Sequence, residues 1–288
     1  MSARFLTVVL ERAFNMRDGF GREIDYMRIS VIDSCNLNCY YCNPCDNNEH
    51  CHALNILSVK EVLCIVRAAT RLGIKHFRLT GGEPLLHPQL DEMVLQIKKI
   101  PGVSSVSLTT NAVLLAQHAK WLKEAGIDSI NVSLDTIDAS EYERITKKPL
   151  LEEVKHGINA AIECGIRVKI NVVLTPQTDV VALTRYVAKK GTDIRFIEMM
   201  PVGEGHTNGV EPYKKVIGTL SKLYGEPCRI NTEKTKEINS GNDKRKIPDN
   251  GPAEYYIFPE LGIRVGLIQA IHGKFCDTCN RIRVTADG

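Results

Sequence analysis

The chain has 288 residues, 43% hydrophobic and 25% charged, with 37 basic against 34 acidic side chains and a net charge of +3. This is the balance of an ordinary globular protein, long enough for two domains or for one barrel-like α/β domain with an appendage. It excludes a large basic face for nucleic acid and a membrane span, since no apolar run approaches the roughly 18 residues a spanning helix needs.

The N-terminal "FLTVVL" runs straight into "ERAF" without a cleavage-like segment, so the reading is cytoplasmic. In that compartment the ten cysteines stay reduced, and clustered ones are expected to be metal ligands. The first predicted strand is "MRISVID" (27–33), followed at once by "SCNLNCYYCNPCDNNEHCH" (34–52). Four times a helix-like segment, a glycine and a β-rich run then recur, at Gly73, Gly126, Gly165 and Gly191. Glycine there fits the left-handed residue that ends a helix. The first of these helices carries Ser58 and Glu61 at capping-box spacing. With "VSSVSLTT" (103–110), six strands alternate with helices, each rich in Ile, Val or Phe as buried parallel strands are.

Six units predict an open, partial (βα)6 TIM-like barrel, with its chemistry at the carboxyl ends of the strands. After Pro201 the pattern changes: 232–254 reads as a loop, "EYYIFPELGIRVGLIQA" as a hairpin turning at "PELG", and the chain closes with "HGKFCDTCNRIRVTADG". The expected division is an N-terminal extension (1–26), the partial barrel (27–201) and a C-terminal α+β extension (202–288).

Cys35, Cys39 and Cys42 form C-x3-C-x2-C directly after the first strand. Three thiolates on one loop can hold three irons of a [4Fe–4S] cube and leave the fourth open. Spacing and position favour that cluster. Zinc stays open, because Cys45, Cys51, His50 or His52 could complete a tetrahedral site.

The aromatic Tyr41 before the last cysteine, "TGGEP" (80–84), "TTNA" (109–112) and "VSLD" (132–135) fall in order at the ends of successive strands. In this the chain resembles the radical S-adenosylmethionine superfamily. From "DGFGREIDYMRISVIDSCN" through "RFIEMMPVG" and "GPAEYYIF" to "CDTCNRIRVTADG" it resembles, more narrowly, the GTP 3′,8-cyclases of molybdenum cofactor biosynthesis.

The resemblance implies a reaction. S-adenosylmethionine chelates the open iron and is cleaved by one electron to a 5′-deoxyadenosyl radical. The radical takes hydrogen from C3′ of GTP, and the carbon radical attacks C8 to give (8S)-3′,8-cyclo-7,8-dihydroguanosine 5′-triphosphate. It also implies residue roles. Cys35, Cys39 and Cys42 hold the first cluster, and with Arg281 and Arg283 they make the catalytic set. Tyr41, Gly82, Ser133 and Met200 contact S-adenosylmethionine; for Ser133 and Met200 simple packing is the blander alternative. Arg28, Arg78, Thr109, Lys169, Arg281, Ile282 and Arg283 bind GTP. Cys276 and Cys279 are ligands of a second [4Fe–4S] cluster, their alternative being a zinc half-site or redox pair.

Arg28, Arg78 and Lys169 stand inside predicted strands, where an unpartnered charge is costly, and that favours function independently. The family's third C-terminal cysteine has no counterpart among the 288 residues. With an incomplete second cluster, S-adenosylmethionine cleavage is expected to survive and cyclisation to be impaired. His76 stands where many members have Lys and is expected to weaken a phosphate contact. Further implied partners are a flavodoxin or ferredoxin electron donor and a downstream cyclic pyranopterin monophosphate synthase; a homodimer is compatible with all of this. The competing readings are a related enzyme acting on a peptide or other small molecule, and a non-catalytic zinc or redox module.

Overall fold

The computed structural model describes residues 16–42, 55–200, 212–230, 252–273 and 279–288. The segments with Cys45, His50, Cys51 and His52, with the 232–251 part of the predicted loop, and with Cys276 lie outside the described residues.

Six parallel strands follow the predicted order: β1 (Tyr26–Ser30), β2 (His76–Thr80), β3 (Ser105–Thr110), β4 (Ser129–Ser133), β5 (Arg167–Leu174) and β6 (Asp193–Glu198). Between them run α1 (Val59–Arg71), α2 (Leu90–Lys98), α3 (Leu115–Glu124), α4 (Ala139–Thr146), α5 (Leu151–Glu163) and α6 (Val180–Lys189). Ser58 and Glu61 form the expected capping box on α1. The four repeat glycines all take positive φ, between 63° and 91°. There a side chain would strain the backbone.

Beyond β6 come α7 (Pro212–Tyr224), β7 (Cys228–Ile230), β8 (Glu254–Ile257), β9 (Arg264–Ile268) and β10 (Arg281–Val284). The sheet order is β10-β1-β2-β3-β4-β5-β6-β9-β8-β7, ten strands among the described residues. The predicted hairpin is present as antiparallel β8 and β9, with Gly262 of its turn at φ 71°. Sequence reading did not foresee where the added strands go. β9 extends the sheet parallel to β6, and β10 returns to the opposite edge beside β1. That return sets the C-terminal arginines against the first strand, which no local pattern encodes.

Most of the expected Ile, Val and Phe enrichment lies on one face. Met27, Ile29, Phe77, Leu79, Val106, Leu108, Ile130, Val132, Val168, Ile170, Ile194 and Phe196 pack against the helices as one core. The alternate residues of the same strands point to the other face.

Candidate active site

On that inner face the register aligns Arg283, Arg28, Arg78 and Ser107 across β10, β1, β2 and β3, and Thr109, Asn131, Lys169 and Asp193 from β3 to β6. Counted over the described strands, it carries Arg28, Arg78, Arg167, Lys169, Arg195, Arg264, Arg281 and Arg283 against one carboxylate, Asp193. Asp193 is bound by Arg264 through both carboxylate oxygens and lies 3.7 Å from Arg167. Burial, then the facing Arg283, holds Arg28 down to about 10. Arg78 is also lowered to about 10, by burial first and then by Arg195, Arg28 and Arg281. Arg28 Nε and Thr109 Oγ1 are buried without a hydrogen-bond partner. An excess of cations on one face is the chemistry that suits a polyanion.

Above it, at the carboxyl end of β1, lies the three-cysteine loop. Its thiols are free, and neighbouring thiols contribute to one another's perturbation. Burial pushes Cys35 and Cys42 up and Cys39 up to about 12. Iron coordination would displace these protons, so metal loading is coupled to proton release. The loop is pinned from two sides. Gly82 N–H donates to Ile32 O and Glu83 N–H to Ser34 O, both at 2.7 Å, while Asn38 and Tyr40 N–H donate to Thr146 O and Ile145 O at the end of α4.

The glycine pair serves this seam. A Cβ on Gly81 would fall 2.3 Å from Ile32 O, and one on Gly82 would fall 2.1 Å from Ser34 O. The first obstacle to a side chain at Gly82 is therefore the backbone of the cysteine loop itself.

Glu83, missed by sequence reading as a site residue, is 1% exposed. It accepts hydrogen bonds from Thr110 Oγ1, Leu85 N–H and Asn111 N–H. Asn111 Nδ2 in turn reaches Asn36 Oδ1 at 2.7 Å and Cys35 Sγ at 3.8 Å. Burial raises Glu83 to about 7 despite three donors. Because its folded pKa lies above its ordinary 4.5, its contribution to stability is full below pH 4.5 and is lost as pH rises through 7. We expect about 3 kcal/mol of unfolding free energy to disappear between pH 5 and 8 from this group. Glu83→Gln should flatten that slope in urea unfolding at the two pH values; an unchanged slope would refute the assignment.

A cavity beside the loop is lined by Cys39, Tyr41, Asn111, Ser133, Asp135 and Tyr142. Tyr41 donates its hydroxyl to Asp135, whose other oxygen accepts Val173 N–H at 2.7 Å. Burial raises Asp135 to about 6. Ser133 of this lining is exposed, as is Gly82 on the seam with the cysteine loop, and Met200 is 53% exposed just past β6. Exposure on this scale disfavours simple packing for Met200.

The remaining expected residues divide. Thr109 is half-buried, Lys169 is buried, and Arg281 and Arg283 flank β1, all on the inner face. Ile282 sits opposite Met27 and packs against the core, so its side chain is on the other face. His76 binds Ser105 Oγ through Nδ1 at 2.8 Å, and burial lowers its pKa, which keeps it neutral. Arg195 also escaped sequence reading. It bonds Asn131 Oδ1, and a Cβ on Gly266 would come within 2.7 Å of its Cγ. A period-two count of charges along all strands, rather than the apolar run, is the signal that would have found it.

Three free thiols on a pinned loop beside this cavity are, by type and number, the donor set of a cluster that keeps one iron for a small ligand. Fold and site together define the radical S-adenosylmethionine class. The Radical SAM superfamily matches residues 29–183, and Molybdenum Cofactor Synthesis C matches 192–288. Over 276 residues the chain is 37% identical to the GTP 3′,8-cyclase of Clostridium perfringens strain SM101, covering 95% of this chain and 81% of that one. Identity is 38% over 280 residues to the GTP 3′,8-cyclase of Pelotomaculum thermopropionicum, with 95% and 82% covered. The chain belongs to the GTP 3′,8-cyclase family.

Among solved structures, Streptococcus suis SuiB bound to its precursor peptide SuiA superposes with a TM-score of 0.60 at 18% identity, covering 76% of this chain and 50% of that one. Methylornithine synthase gives 0.56 at 16% identity, covering 78% and 70%. These two likenesses concern the fold alone. No helix among the described residues is long and apolar enough to cross a membrane.

Proposed function

We propose that the chain converts GTP to (8S)-3′,8-cyclo-7,8-dihydroguanosine 5′-triphosphate, the first step of molybdenum cofactor biosynthesis. The observation that carries this reading is the inner face itself, eight cations to one carboxylate, beneath a three-cysteine loop. Cys35, Cys39 and Cys42 hold a [4Fe–4S] cluster, and Tyr41, Gly82, Ser133 and Met200 border S-adenosylmethionine. When bound, the cluster supplies the electron that turns S-adenosylmethionine into a source of a hydrogen-abstracting radical.

The protein's own part is placement. Arg28, Arg78, Lys169, Arg281 and Arg283 neutralise the triphosphate and fix the ribose below the cavity, and Thr109 offers its unpartnered hydroxyl. Ile282 contributes through its backbone. The sheet closes the site from water on one side. Cys276 and Cys279 are two of the ligands of a second [4Fe–4S] cluster toward the base, and a flavodoxin or ferredoxin delivers the electron.

The test is anaerobic reconstitution of the chain with iron and sulfide, followed by S-adenosylmethionine cleavage with and without GTP. GTP should stimulate cleavage; it should be consumed where the second cluster is complete, and cyclisation should fall while cleavage survives where that cluster is incomplete. Cys35→Ala should abolish turnover, by at least about 10³-fold. Cleavage indifferent to GTP would favour the related enzyme acting on a peptide or small molecule, and zinc instead of iron would sink both readings.

A further inference from the structure

Two of the guanidinium groups assigned above to the triphosphate come from strands on either side of β1. Arg281 of β10 lies across from Tyr26, and Arg78 of β2 is two residues beyond Tyr26's other partner, His76. Like charges so placed repel, and both arginines are half-buried. Between them stands the ring of Tyr26. The guanidinium carbon of Arg78 is 5.4 Å from its centroid, and that of Arg281 is 5.1 Å. The neutral His76 ring stacks on the same tyrosine at 6.4 Å and 28°.

Tyr26 is 6% exposed, and its hydroxyl has no hydrogen-bond partner. With no partner for the hydroxyl, the contacts the structure gives the Tyr26 side chain toward these cations are those of its ring. The face of the ring attracts both cations at once and restricts their rotamers, so less freedom is lost when an anion binds.

The geometry points to Tyr26 as a positioning residue for substrate binding: its ring holds Arg78 and Arg281 in the arrangement a nucleoside triphosphate requires. This rests on the reading of those arginines as GTP ligands.

The experiment compares wild type, Tyr26→Leu, Tyr26→Phe and Arg78→Met as full chains after anaerobic reconstitution. Readouts are GTP affinity by equilibrium dialysis, the KM and kcat for GTP, iron content and the thermal midpoint. Tyr26→Leu should weaken GTP binding about tenfold or more, with the loss in KM rather than kcat and with iron content unmoved. Tyr26→Phe, which keeps the ring, should stay within about twofold of wild type. Wild-type affinity in Tyr26→Leu overturns the proposal. So does a phenylalanine variant as impaired as the leucine one, which would make the hydroxyl the contact. Parallel loss of iron and of the thermal midpoint in Tyr26→Leu would show a structural role and overturn it as well. If wild type fails to bind GTP, or Arg78→Met binds it equally well, the substrate reading falls and takes this one with it.

Discussion

Replacing Gly82 with alanine is expected to strip the chain of iron without unfolding it. The added carbon would lie 2.1 Å from Ser34 O and 2.4 Å from Asp33 O, both backbone atoms of the loop that begins the cysteine motif. Ordinary contact needs over an ångström more, so the two loops must part and the 2.7 Å bonds that join them must lengthen. Overpacking of this kind costs about 1–3 kcal/mol, which a core built on the opposite face of the sheet can absorb. Geometry at the thiols cannot absorb it. A displacement near 1 Å there should reduce S-adenosylmethionine cleavage by about 10²-fold or more. Iron and sulfide analysis, visible absorption and thermal unfolding together check the result. Gly218→Ala is the control, for its Cβ would meet nothing within 4 Å inside α7. It should leave iron unchanged and stabilise by about 0.5–1 kcal/mol. A Gly82→Ala protein with full iron would show that the glycine pair serves something other than this seam.

The second large effect runs in opposite directions for binding and stability. Arg28 is half-buried, its Nε has no partner, and Arg283, Arg281 and Arg195 all oppose its charge. Substrate-free protein therefore carries repulsion at Arg28 that a bound anion would relieve. Arg28→Met keeps most of the side-chain volume and removes a charge. We expect the thermal midpoint to rise, by the equivalent of about 1 kcal/mol, while GTP affinity falls by about 10²-fold. In wild type, GTP at a hundred times its Kd should add about 2.7 kcal/mol of stability, and in the variant nearly none. Calorimetry with and without GTP at fixed salt decides the matter. A variant less stable than wild type in the absence of GTP would contradict the account of the inner face.

Each element that sequence reading recovered carries a local signature. β1 to β6 and their helices follow from apolar runs and from glycines whose positive φ ends a helix, and Ser58 with Glu61 announces α1. The three cysteines are legible because their spacing is short and they follow a strand. Other residues were found only through resemblance, among them Thr109 and Ser133, whose types are common everywhere. Glu83 and Asn111 were quoted in motifs without a role, since a buried carboxylate with three donors is visible only in three dimensions. Ile282 shows the reverse: adjacent to two arginines in the chain, it faces away from them because strand neighbours alternate.

What the sequence alone determined is the class of fold, the three-thiol loop and the set of charged residues within strands. All of these depend on spacing along the chain, which backbone geometry converts directly into structure. What only the tertiary structure decided is their assembly. β10 pairs with β1 across more than 250 residues, bringing Arg281 and Arg283 beside Tyr26 and Arg28. The glycine pair at 81–82 fits against backbone near residues 32–34, about fifty positions earlier. Such contacts arise from register and close packing between distant segments, for which the local pattern holds no code.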